Sequence, residues 1–324
     1  MGPVRQGVAG VSLASYTARR AALGLVQVLA VVTLVFFLVE ALPGDAAVAL
    51  AGDNPDPARI AQIRAAMGLD RPTAERFAQW LTGLPRLDFG VSLVSGRPVA
   101  EFLSSGIGPT VVLAALTLVL LVPISVLVGV LAAVREGSLL DRALTSVSVA
   151  LHSIPEFALA VVLIAVFGVR LAWLPPTAVG ADLAAQPAVL VLPLVVLLAR
   201  PICSISRLVR AGMVDALASD HVRHARRLGI GETRVRFAHA LPNALAPAVQ
   251  QVARTTDWLL GGVIVVEAVF VIPGLGTVLV DSVAARDLPV VQGLAVVFAV
   301  TTVAVNLLAD LVAFRLAPRA EVVA

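Results

Sequence analysis

Six stretches of about twenty mostly apolar residues recur along this chain, and stretches of that length and character have one stable home. At about 1.5 Å per helical residue each spans a hydrocarbon core of about 30 Å. They run approximately over 21–42, 110–134, 145–168, 188–205, 246–271 and 290–314. Backbone polar groups find no water in lipid and must bond within their own segment, so these runs read as helices of an all-α integral membrane protein. Composition agrees: 59% of residues are hydrophobic and 14% charged, whereas a soluble domain carries about a quarter charged residues. The first run follows Arg19 and Arg20 and precedes Ala47 and Ala49 in the manner of a secretory signal. Its apolar length exceeds the roughly 7–15 residues of a signal core, so it reads as a retained span.

Orientation follows from arginine, because cationic side chains close to span ends are retained in the cytoplasm. Residues 206–245 hold seven arginines against three acids, a larger surplus than the +3 of the whole chain. That loop is expected inside, with residues 1–20 (Arg5, Arg19, Arg20), the turn from Arg135 to Arg142, and the tail carrying Arg315 and Arg319. Six spans then close consistently, with both termini cytoplasmic and three loops outside. A cytoplasmic segment, 1–20, precedes one transmembrane domain, 21–324, with an extracytoplasmic loop region at 43–108 and a cytoplasmic loop at 206–245. The pI of about 10.2 would suggest nucleic acid for a soluble protein; here the orientation rule accounts for the basic surplus, and no nucleic-acid partner is inferred.

All 24 basic residues are arginine. A phosphate-binding loop of the form GxxxxGK[ST] is therefore excluded, since its lysine must reach the β- and γ-phosphates, and so is Schiff-base chemistry. Gly274 and Gly276 in "PGLGTV" do not extend to GxGxxG, because Leu279 occupies the third position. HExxH and GxSxG are absent too. The single cysteine, Cys203, excludes an intrachain disulfide and a cysteine-based metal cluster.

In the outer loop, "DPARIAQIRAAMGL" reads as a helix with Asp56 as cap, Pro57 in the first turn and Gly68 as stop, its apolar Ile60, Ile63 and Met67 on one side. A second helix, 74–84, aligns Phe77, Trp80, Leu81 and Leu84, a stripe that packing on the span bundle, the membrane interface or a partner would cover. Pro123, Pro155, Pro193 and Pro201 fall inside spans, where each removes a backbone bond and favours a kink. Charged residues inside spans are costly unless paired or facing water: Glu156, Arg200, Arg254, Asp257, Glu267 and Asp310. Arg254 and Asp257 are three apart and can pair on one helix face. Glu156, Arg254, Asp257 and Glu267 are candidates for lining a translocation path, and Glu267 stands where it can also reach the interface.

The densest charge lies in "RHARRLGIGETRVRFAHALPNAL", 223–245. Asp220 is placed to cap a helix through Val222, Arg226 and Leu228 that Gly229 and Gly231 end; a second helix restarts near Glu232 and carries Val235, Phe237 and Leu241 before Pro242. Two short arginine-studded helices across a glycine turn form a plug for a groove on another protein. Topology anchoring alone explains the charge but not the phased apolar residues.

Ala225, Gly229, Leu241 and Pro242 reproduce the spacing of the EAA loop, and the chain here resembles ABC-importer permeases; Arg223 and His224 stand where the pattern has Glu and Ala. "ALPGD", "GLDRPTAERFAQWLTGLPRLDFGVSL" and "GGVIVVEAVFVIPGLGTVLVDSVAARDLPVVQG" resemble the B-type subunit of dipeptide and oligopeptide importers. The tail "LAPRAE" departs from that branch in having Ala317 before the proline. The resemblance implies a type I permease with about six transmembrane helices. Its partners would be a second homologous permease, two cytoplasmic ATPases and an extracytoplasmic solute-binding protein. ATP and Mg would be bound by the ATPases, with no cofactor or metal in this chain. It also implies a coupling role for Arg223, His224, Ala225, Arg226, Gly229, Leu241 and Pro242. Peptides are the default cargo of the branch, and nickel and other small solutes are carried by relatives.

Two other classes remain open on residues alone. A self-contained channel or secondary carrier fits the span count, though no inverted repeat is evident. An intramembrane enzyme would use His152 and Glu156, four apart, as an acid/base or metal pair. His221, His224 and His239 raise metal delivery as a further reading, against their role as docking contacts.

Overall fold

The computed structural model describes residues 13–41, 48, 56–66, 68, 70–183 and 185–316. Among these the apolar runs are helical. In chain order the helices are α1 (Leu13–Glu40), α2 (Pro57–Ala66), α3 (Thr73–Gly83), α4 (Val99–Val134), α5 (Leu139–Ser153), α6 (Glu156–Leu163), α7 (Val191–Ala218), α8 (Asp220–Arg227), α9 (Glu232–Arg234), α10 (Leu241–Ala244), α11 (Ala246–Phe270), α12 (Leu275–Ala284) and α13 (Leu288–Leu316). Wide helical turns extend α6 through Ile164–Arg170 and join α9 to α10 through Val235–Ala240.

Among the described residues four helices are long and apolar enough to cross a membrane, and up to six crossings result if each of two sharply bent pairs is one span. The run expected at 145–168 is bent by 107° between α5 and α6. Pro155 causes this: the residue before a proline is pushed out of the helical region, and Ile154 is extended at φ −87°, ψ 126°. The second bend, 74°, separates the end of α11 from α12. There Val271 adopts φ 54°, a left-handed conformation expensive for a β-branched residue. Pro123 and Pro201, by contrast, sit within unbroken helices.

The long α4 and α7 pack along each other, α11 packs on α7, and α1 lies on α13. Close approach of α4 to α7 depends on Gly129, where a Cβ would stand 2.7 Å from the Ser206 carbonyl oxygen. Before α2, Asp56 Oδ1 accepts from the Ala58 amide at 3.1 Å, at the expected cap. Trp80, Leu81 and Leu84 pack against the buried Val32, Val99, Leu103, Val290 and Leu294, and the Phe77 ring lies 5.1 Å from that of Phe36. The span bundle therefore covers the stripe of α3. The buried Asp287 carboxylate, just before α13, accepts from Ser92 Oγ and from the Leu93 amide at 3.0 Å, which ties the loop after α3 to the last span.

Candidate functional site

The arginine-rich stretch is built as an extension of α7. That helix runs past the expected span end at 205 to Ala218 and breaks at Ser219, whose extended backbone turns the chain into α8. Ser219, not Asp220, occupies the cap position; Asp220 is the first helical residue and pairs with Arg223. Gly229 ends α8 at φ +78°. Its amide donates to the Arg226 carbonyl at 3.0 Å and the Ile230 amide to the Ala225 carbonyl at 3.2 Å. These two bonds form a Schellman motif, whose left-handed position favours glycine. The second helix does not stop before Pro242: α10 carries Pro242 in its first turn, and α11 follows at once.

One face of this hook is buried. Val222, Ala225, Val235, Ala240 and Ala244 join Val130, Ala133, Ile205, Val209 and Met213 in one apolar cluster. At Gly212 of α7 a Cβ would meet the Ala244 carbonyl oxygen at 2.7 Å, so the small residue permits the contact. The other face is charged with apolar knobs. Arg226 bonds both Glu232 oxygens, at 2.8 and 3.3 Å, closing the two helices over the glycine turn. That contact, reinforced by Arg236, holds the Glu232 carboxyl below the usual carboxylate range. Leu228 and Phe237 are 68% and 55% exposed. His221 contacts Ser219 Oγ at 2.9 Å and Asn243 at 3.3 Å, while the His239 carbonyl accepts from Asn243 at 3.2 Å. The His221 ring thus has local polar partners. No group of three or more metal-ligating side chains occurs among the described residues.

A contact missed in the sequence supports the hook. Arg210 of α7 donates to both Asp141 oxygens at 2.6 and 2.7 Å, and Asp141 also accepts from the Gly137 amide at 2.9 Å. The α4–α5 turn is thereby fastened to α7. A partial signal was present: Ser138 precedes Asp141 by three residues, as in a capping box, and its hydroxyl accepts from the Asp141 amide.

The residues proposed for a path separate. Glu156, in the first turn of α6, accepts from Arg200 of α7 at 3.2 Å, and that guanidinium lies 6.0 Å from the Trp258 ring centre. His152 does not join Glu156; its Nδ1 is 3.5 Å from Ser204 Oγ. The Pro155 bend sends the two members of the proposed acid/base pair to different partners. Arg254 donates to Gln251 of its own helix, and the side chain of Asp257 lies outside the described residues. Glu267 reaches neither an open path nor the interface. It is fully buried, and its Oε2 accepts from the Gly276 amide at 2.6 Å across the second bend. A Cβ on Gly274 would collide with that carboxylate. The glycines of "PGLG" thus leave room for an internal acid.

Residues 125–322 match the family described as binding-protein-dependent transport system inner membrane component. The chain belongs to this family. Residues 13–102 match the amino-terminal model for membrane components of the same transport systems. Over 289 residues the chain is 40% identical to the glutathione transport system permease protein GsiC of Escherichia coli (strain K12), covering 89% of this chain and 93% of that protein. A probable peptide ABC transporter permease of Sinorhizobium fredii is 35% identical over 302 residues, covering 91% and 96%. A solved structure titled as an amino acid ABC transporter with histidines is 18% identical and covers 67% of this chain and 94% of that one, at a TM-score of 0.48. The protein is thus a permease subunit of an ABC importer, a multi-pass component of a bacterial inner membrane. Its family works with ATPase and substrate-binding partners.

Proposed function

We propose that this permease imports di- or oligopeptides, with the hook at 220–245 as its coupling element to the ATPases. The observation that carries the cargo assignment is the 40% identity to a glutathione permease over nearly the full length of both proteins, since glutathione is itself a small peptide. The coupling assignment rests on geometry: Val222, Ala225 and Val235 fix the hook to α7, while Leu228, Phe237 and the arginines stand outward for a partner. Arg223, His224, Ala225, Arg226, Gly229, Leu241 and Pro242 form this element, either at its surface or in its frame.

In this reading residues 21–324 form one permease unit and 1–20 a cytoplasmic lead, with both termini inside. A second homologous permease completes the path, and two ATPases bind ATP and Mg. This chain, which lacks the lysine of a phosphate-binding loop, contributes no nucleotide site and no cofactor. Closure of the ATPases displaces the hook and biases the bundle between inward- and outward-open states; it can do so only because the two states differ in affinity for the closed ATPases. Copurification from native membranes tests the assignment. A second permease and ATPases should accompany the tagged chain, and binding protein with peptide should raise hydrolysis and drive peptide uptake in proteoliposomes. Recovery of a homo-oligomer without ATPase activity would overturn the importer assembly, and uptake of nickel instead of peptide would overturn the cargo.

A further inference from the structure

Arg200 is the least expected side chain of α7. It lies inside the expected span 188–205, toward the end where the helix runs on to Ala218, yet its side chain remains 46% exposed. A cation at that depth is stable only beside an opposite charge, an aromatic face or water. Glu156 and Trp258 supply the first two, and the guanidinium keeps an exposed edge. Ser204 follows one turn later on the same face of α7, with His152 beside it, so the polarity continues toward the cytoplasmic end. A polar track of this kind is costly against lipid and suits the wall of an aqueous passage.

We propose that Arg200, Glu156 and Trp258 form a cargo-contact site for a zwitterionic short peptide, which rests on the peptide reading above. The peptide carboxylate is bound by Arg200, whose planar fork suits a carboxylate. The peptide ammonium is bound by Glu156, and a nonpolar side chain lies on the indole of Trp258. Glu156 and Arg200 hold each other when no cargo is present. A zwitterion exchanges one ion pair for two complementary contacts, so neither charge is left uncompensated at any stage.

The test uses the complete importer with its binding protein in proteoliposomes and compares uptake of dialanine with that of its carboxyl-terminal amide. The binding protein is the same throughout, so the change in preference between variants isolates the permease. Arg200→Gln should reduce the preference for the free carboxylate about tenfold, as expected for loss of a charged hydrogen-bonding partner, while ATPase subunits still copurify. A charge exchange, Glu156→Arg with Arg200→Glu, keeps the ion pair. It should likewise copurify with the ATPase subunits and, with the cation moved off α7, lose the preference for the free carboxylate. If either variant takes up dialanine with the wild-type preference over its amide, the pair is only structural and the inference is overturned while peptide import stands. If the wild-type importer transports no peptide at all, both the peptide reading and the carboxylate role of Arg200 are overturned.

Discussion

At the scale of single residues, Gly229 carries the sharpest expectation. A Cβ there would meet nothing within 4 Å; the obstacle is φ +78°. Gly229→Val should cost about 1–2 kcal/mol of local strain. It should loosen the Schellman turn while the permease still inserts, giving an assembled complex whose ATP hydrolysis no longer drives uptake. Normal uptake by that variant would remove the hook from the coupling role. Gly229 was legible because a helix-stop glycine acts through its own backbone, and its neighbours in sequence are its neighbours in space. Glu156 and Arg200, 44 residues apart, were legible only as two separate charges. Nothing in a one-dimensional pattern pairs them. Glu267 was misplaced for a related reason: its partner amide, nine residues on, comes within reach only because Val271 takes a left-handed conformation.

At the scale of elements, the two clasps near the hook differ in what they should do. Asp141→Ala removes the buried partner of Arg210 and leaves the Gly137 amide without its acceptor, and should destabilise the purified permease by about 1–3 kcal/mol. It should also uncouple α5 from α7, read as faster hydrogen exchange at 137–145 in the intact protein. Unchanged exchange there would show that packing alone holds the turn. The Arg226–Glu232 clasp is exposed and should respond to pH in a definite direction. Because Arg226 depresses the Glu232 carboxyl, the contact is fully present above the ordinary carboxylate range and is lost only as pH falls through the lowered folded value. Hydrogen exchange of 228–236 should therefore stay flat from neutral pH to the ordinary carboxylate range and rise only at stronger acidity, once intrinsic exchange is corrected for. A rise near pH 7 would contradict this. Helix existence followed from apolar length, and the bends followed only in part. Pro155 marked one correctly, whereas Pro123 and Pro201 occupy the same kind of position and break nothing.

At the scale of the whole molecule, topology makes the remaining prediction. With Cys203→Ser as background, a cysteine at Ser95 should react with a membrane-impermeant thiol reagent added outside intact cells, and one at His224 only after the membrane is opened. The opposite pattern would invert the arginine-based orientation. The all-helical architecture was legible because lipid admits few alternatives, while the tertiary arrangement depended on glycine contacts between distant helices. One helix links the two ends of the mechanism. At about 1.5 Å per residue, the 28 residues of α7 form a lever roughly 40 Å long, with the hook beyond its carboxyl end and Arg200 along its shaft. Pro201 withholds one backbone donor immediately beside that arginine. That missing bond lies beside the charge the lever carries, so a swing at the hook end would be felt as a change in the spacing of Arg200 and Glu156.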